Sequence, residues 1–301
     1  MNERSIEKLL VASDSVDALR GTIEKVAAIE HYTGAAVAAL LVHHDPIVDE
    51  VRVRFGPDSS QRLIDEMVRN EAKSLEASLA SLREHVAELD VDVAFAREAA
   101  DAIADRARTL RADLIVKPLG RSHRLADFLH TPADWKLMRE APCPVLFTRA
   151  SNWETPRRVL AAVDLVDPAH GEVNRAIVRD ASMIASILGA ELHVATAFPA
   201  LAPYVTQYQI SYDLASLRVE MRDARRNALV RLLSECKVDA TTHVVEGRAR
   251  DAVAALAAEL RVSVTVLGTA GRSGLKKLLI GNTAEAIVGD LSTDLLTVRG
   301  H

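Results

Sequence analysis

The residues best suited to chemistry lie in one stretch, Gly268-Thr-Ala-Gly271-Arg272-Ser-Gly-Leu-Lys-Lys-Leu-Leu-Ile-Gly281-Asn282-Thr283. Its spacing is Gly-x2-Gly-x9-Gly followed by two polar residues. That is a recipe for holding phosphate. Glycines let backbone amides approach an anion closely, and the unpaired N–H groups of a helix's first turn point at it. The flanking residues supply the rest of the recipe. Val262-Ser-Val-Thr-Val-Leu267 reads as a buried parallel strand, and Asn282-Thr-Ala-Glu-Ala-Ile-Val288 reads as a helix with Asn282 as N-cap and Glu285 three residues on.

The stretch has an earlier, altered copy. From Asp113 the chain reads Asp-Leu-Ile-Val-Lys117-Pro-Leu-Gly120-Arg121-Ser122, continuing to His130-Thr131-Pro-Ala-Asp-Trp135. Overlaid without gaps, Gly120-Arg121-Ser122 falls on Gly271-Arg272-Ser273, while Lys117 replaces the first glycine and His130 the third. Both changes put a side chain where an anion would meet backbone. The chain therefore reads as a tandem repeat with one intact loop and one degenerate loop.

The elements that must position these loops repeat as well. In the second half, Val159–Val163 is a strand ending at Asp164, followed by a helix carrying Val173, Ile177, Ala181, Ile184 and Leu188 and stopped by Gly189. Glu191–Thr196 is the next strand. A charged helix over roughly 215–234, a strand over 240–245, a helix with Val253, Leu256, Ala257 and Leu260 on one face, the glycine-loop strand and a last strand Leu295–Val298 complete the set. In the first half Leu9–Ser13 ends at Asp14, Val37–Val42 is the second strand, one long helix runs over roughly 60–89, and Pro144–Phe147 closes the set. Strands alternating with helices predict α/β architecture: two tandem doubly wound, Rossmann-like parallel sheets of five strands, over residues 1–150 and 151–301. The polar stretch Arg149–Pro156 reads as the linker. Ligands of such sheets sit outside the carboxyl ends of the strands, so the fold brings Asp164, Thr196 and the Gly268 loop to one crevice.

Composition bounds the function. A net charge of −5 offers no general attraction for nucleic acid, and two cysteines in 301 residues exclude a disulfide framework and suit a reducing compartment. The longest apolar run, Ala35–Val42, is too short to span a bilayer. A charged N-terminus leading directly into a strand does not look like a secretory signal. The expectation is a cytoplasmic protein with no membrane span and no nucleic-acid partner.

The glycine spacing resembles the nucleotide loop of the universal stress proteins, in the branch whose members bind ATP. The resemblance covers nearly the whole chain and is nearest to the tandem E type, through the Gly-Asn-Thr-Ala-Glu run at 281–285 and the Thr-Pro-x-Asp-Trp run at 131–135. Asn282 departs from the usual Ser or Thr, keeping polarity without the hydroxyl. The resemblance implies that Ala162, Val163 and Asp164 contact adenine and ribose, that Val194 borders the base, and that Gly268, Gly271, Arg272, Gly281, Asn282 and Thr283 hold the phosphates. Gly247 matches the family's glycine before the third helix. The ligand would be ATP, or ADP or AMP in its place. Mg²⁺ stays open as a companion, with no acidic pair beside the loop to hold it. It also implies that the halves form an intramolecular pseudo-dimer through their closing strands, with a further homodimer open.

These features suit a nucleotide-binding stress sensor or adaptor. There is no Gly-x4-Gly-Lys-Ser/Thr loop and no identifiable general base; slow ATP hydrolysis stays open, because backbone amides at the phosphates could stabilise developing charge. Two other classes stay open: an adenine-nucleotide hydrolase or transferase, and a ligand-free interaction protein. Three constellations stand apart. His43-His44-Asp45 lies at a strand end that should face His123 and His130, a loose set for Zn²⁺ whose spacing matches no recognised metal motif. Tyr204, Tyr208 and Tyr212, spaced by four, would share a helix face, either as packing or as an apolar lid for a hydrophobic ligand. Cys143 and Cys236 read as inert.

Overall fold

A computed structural model describes residues 5–55, 57–119, 132–149, 152–201, 213–269 and 291–299. The chain divides into two compact units, the change falling between Asn152 and Trp153.

In the first unit the apolar runs become parallel strands buried along their whole length rather than on alternate residues, because helices cover both faces. Strands β1 (Lys8–Ser13), β2 (Ala36–His43), β3 (Leu89–Phe95), β4 (Leu114–Pro118) and β5 (Val145–Thr148) lie in the order β3-β2-β1-β4-β5. Leu9 sits between Val37 and Leu114 in register. Helix α1 (Val16–Thr33) starts where the Ser15 hydroxyl accepts from the Ala18 N–H and stops at Gly34, whose φ of 67° a side chain would strain. Helices α2 (Pro46–Arg54), α3 (Pro57–Leu79), α4 (Ala99–Leu110) and α5 (Pro132–Glu140) supply the remaining cover.

One sequence expectation fails here. The helix expected over 60–89 ends at Leu79, passes into a 3₁₀ turn at Ala80–Glu84, and gives way to β3. Leu89-Asp-Val-Asp-Val-Ala-Phe places β-branched residues at alternate positions, and pairing along β2, from Val37 opposite Leu89 to His43 opposite Phe95, outweighs helical continuity.

The second unit repeats the plan. Strands β6 (Arg158–Ala162), β7 (Glu191–Phe198), β8 (Thr241–Glu246), β9 (Val264–Gly268) and β10 (Asp294–Val298) lie in the order β10-β9-β6-β7-β8, all parallel. Helix α6 (Gly171–Leu188) buries Val173, Ile177, Ala181, Ile184 and Leu188 and ends at Gly189, φ 57°, as the apolar spacing predicts. Helices α7 (Leu214–Cys236) and α8 (Ala249–Glu259) follow. The strand order reverses between β6 and β9, so the carboxyl ends of these two neighbours flank the switch point.

Candidate functional site in the second unit

Asp164 follows the carboxyl end of β6, and three elements fix it there. Its backbone N–H donates to Asn174 Oδ1 at 3.2 Å, and its carbonyl accepts from Asn174 Nδ2 at 2.7 Å. Asn174 is 3% exposed, a polar side chain within the buried stripe of α6, so this two-bond clasp satisfies an amide that would otherwise be buried unpaired. The Asp164 carboxylate accepts from the Val166 N–H through Oδ1 at 2.9 Å and meets His170 Nδ1 through Oδ2 at 3.1 Å. Arg225, reaching over from α7, donates to the Leu165 carbonyl at 3.1 Å. The carboxylate remains 42% exposed. An ionised carboxylate accepts at about four lone-pair positions, so this one keeps capacity for an incoming N–H or O–H donor.

Gly268 closes β9 beside it, opposite Val298 of β10. A Cβ there would stand 2.8 Å from Val173 Cγ2 and 3.0 Å from Ile177 Cδ1. The first glycine of the motif thus lets α6 cross the strand end closely, a packing duty that the motif alone does not reveal. Gly247, after β8, adopts φ 133°, which side chains rarely adopt, and its N–H donates to the Phe198 carbonyl at 2.8 Å. Glu246 before it is paired with Arg218 of α7.

Of the other expected residues, Ala162 and Val163 sit at the end of β6. Val194 belongs to the strand beside β6. It is fully buried within β7, opposite Ala161, and the β7 residue near the mouth with exposed surface is Ala197. Gly271, Arg272, Gly281, Asn282 and Thr283 lie outside the described residues, as do Tyr204, Tyr208 and Tyr212. Sequence reasoning missed Asn174, His170 and Arg225. The one signal for them was Asn174, a polar residue four before Val178 in an apolar stripe.

The corresponding ends of the first unit differ. The Leu119 N–H donates to the Thr148 carbonyl as the Thr269 N–H does to Val298, and the Asp113 N–H to Lys8 as the Ser263 N–H does to Arg158, so Pro118, not Lys117, stands in the place of Gly268. The same correspondence, Lys8 with Arg158, puts the exposed Asp14 in the place of Asp164. Ser13 is buried, its hydroxyl accepting from the Ser15 N–H, and α1 begins at once without the turn found at 164–170. The Lys117 ammonium pairs with Asp134 of α5 at 2.8 Å, the two side chains 11% and 1% exposed. The histidines are separately engaged: His43 with Glu71 at 3.3 Å and stacked on Phe95, His44 with Asp49 at 3.5 Å, while Asp45 caps α2. His123 and His130 lie outside the described residues, and among those described no group of three or more metal-ligating side chains forms. Cys143 and Cys236 form no disulfide, and burial raises the Cys236 thiol pKa. Among the described residues no helix is long and apolar enough to cross a membrane.

Residues 5–149 and again 155–299 match the universal stress protein family. The chain belongs to that family, as a tandem member. It is 26% identical over 286 residues to the universal stress protein E homolog of Haemophilus influenzae, covering 94% of this chain and 92% of that one. It is 24% identical over 299 residues to universal stress protein E of Photorhabdus laumondii, covering 97% and 95%. A solved structure from Pseudomonas aeruginosa UCBPP-PA14, assigned to the same family, superposes with a TM-score of 0.72 at 27% identity, covering 98% of this chain and 94% of that one. In universal stress protein terms, then, this chain pairs one copy with a clasped carboxylate and a glycine at the switch point with one copy carrying an exposed carboxylate, Asp14, and a proline there.

Proposed function

We propose that the chain binds one adenine nucleotide, ATP or its di- or monophosphate, in its second unit, and serves as a stress-response sensor or adaptor rather than as a dedicated catalyst. The observation that carries this reading is the asymmetry at the switch points. In the second unit a preorganised carboxylate, Asp164, stands beside the strand that leads into the intact glycine spacing. In the first, Pro118 stands where the first glycine would be, next to the buried Lys117–Asp134 ion pair, and helix α1 begins two residues after Asp14. The residues present suit the nucleoside end of such a ligand. Asp164 offers acceptor capacity to the adenine amino group or the ribose hydroxyls, and the backbone amides of 271–283 would serve the phosphates. Family membership supports the stress-response role.

Calorimetric titration of the full chain with ATP tests the proposal. The expected stoichiometry is near one per chain, and Gly281→Val should remove binding while circular dichroism stays unchanged, because a β-branched side chain blocks the close approach of backbone to phosphate. Two equal sites, or undiminished affinity in the variant, would refute it.

A further inference from the structure

The side chain that decides what Asp164 can recognise is His170. We propose that His170 is a positioning residue: through its Nδ1–H it holds the Asp164 carboxylate in the orientation that accepts from a base amino group, and so selects a base edge that donates over one that presents a carbonyl. The inference rests on the nucleotide reading above.

Several observations carry it. Asp164 could have been a local cap only, satisfied by the Val166 N–H; that bond engages Oδ1 alone. Oδ2 is held from a different element, by the imidazole at the junction of the Pro168–His170 3₁₀ turn and α6. A carboxylate only accepts, so the ring nitrogen facing it carries the proton, and His170 is held in that tautomer. The ring is anchored in turn. Its side chain is 12% exposed, and the turn that carries it is capped by the Asp167 carboxylate accepting from the Ala169 N–H at 2.9 Å. With the backbone clasped by Asn174 and Leu165 held by Arg225, the carboxylate has little freedom left. In the first unit α1 begins two residues after Asp14, and the turn that bears the histidine is not found there.

A fixed, ionised carboxylate favours the 6-amino group of adenine and opposes the 6-carbonyl of hypoxanthine, since lone pairs would then face lone pairs. ATP against ITP is therefore the pair of probes that reads the device. For a partly exposed carboxylate the preference for ATP should be about tenfold, the low end for a hydrogen bond to a charged group.

The experiment measures ATP and ITP affinities of the full chain and of His170→Phe, His170→Asn and Asp164→Asn, with thermal unfolding as a folding control. The wild type should prefer ATP. His170→Phe should still bind but lose most of the preference, His170→Asn should restore it because its side-chain N–H can take the place of Nδ1–H, and Asp164→Asn should abolish it. A ratio unchanged in His170→Phe while Asp164→Asn collapses it overturns the role of His170. Equal wild-type affinities for the two nucleotides, or a ratio indifferent to Asp164→Asn, overturn the inference alone. No ATP binding by the wild type overturns it together with the nucleotide reading.

Discussion

Substituting Gly268 by alanine separates packing from ligand binding at the motif's first glycine. The added Cβ would lie 2.8 Å from Val173 Cγ2, 3.0 Å from Ile177 Cδ1 and 3.6 Å from its Cγ1. Carbon atoms pack best at about 3.5–4.0 Å, so the first two contacts are too short by roughly half an ångström or more. Ile177 can swing its terminal methyl away. Val173 cannot, because a β-branched side chain in a helix has essentially one χ1 rotamer, so α6 itself must move off the strand. Overpacking of this kind costs about 1–3 kcal/mol. The assay is urea unfolding of Gly268→Ala, Val173→Ala and the double variant, read as a double-mutant cycle. Val173→Ala removes the colliding methyl, so in that background Gly268→Ala should cost less than about 0.5 kcal/mol and the coupling should be at least about 1 kcal/mol. Any loss of ATP affinity in the single variant should return in the double. Additive costs would refute the packing role, and an affinity that stays low in the refolded double variant would mean the bare backbone of Gly268 is needed by the ligand itself.

Lys117→Met should destabilise the first unit by about 3–5 kcal/mol in urea, because it leaves the buried Asp134 carboxylate without its cation, whereas Lys117→Met with Asp134→Leu should fall near the wild type; a single-variant cost below about 1 kcal/mol would contradict this. His193 Nδ1 and His243 Nε2 lie 3.0 Å apart across β7 and β8, and burial holds both pKa values below the ordinary histidine value of about 6.5. The unfolded chain therefore binds more protons than the folded one, so this contribution is complete above about pH 6.5 and is lost as pH falls through the folded values. His243→Val should flatten the decline of melting temperature between about pH 7 and 5, and profiles that run parallel would refute the linkage. Asn174→Leu should lower both stability and ATP affinity, by about 1–3 kcal/mol in the former for the unpaired turn it leaves, with unfolding and calorimetry as the readouts.

Much of this arrangement was legible in order along the chain. The tandem plan, the parallel strands and the stops at Gly34 and Gly189 follow from apolar runs, helical spacing and residues that tolerate positive φ, all of which are local. The inequality of the two copies was legible too, since the Gly-x2-Gly-x9-Gly spacing occurs in the second alone, although strand pairing puts Pro118 rather than Lys117 in the place of the first glycine. The end of α3 was not, because a strand that pairs with β2 competes there with helix periodicity, and the winner depends on a partner far away in sequence.

What the sequence determined by itself was which residue types arrive at the strand ends. Tertiary structure decided what each of them does there. Register sets Pro118 in the place of Gly268 and buries Val194 within β7, opposite Ala161. The crossing of α6 over β9 makes Gly268 a packing residue, and a partner on α5 gives Lys117 its charge neutralisation. Asp164 owes its fixed carboxylate to Asn174 and His170 on the following elements and its turn to Arg225, some sixty residues on. Such contacts depend on distances between elements, and those exist only once each strand has its neighbours and each helix its place on the sheet.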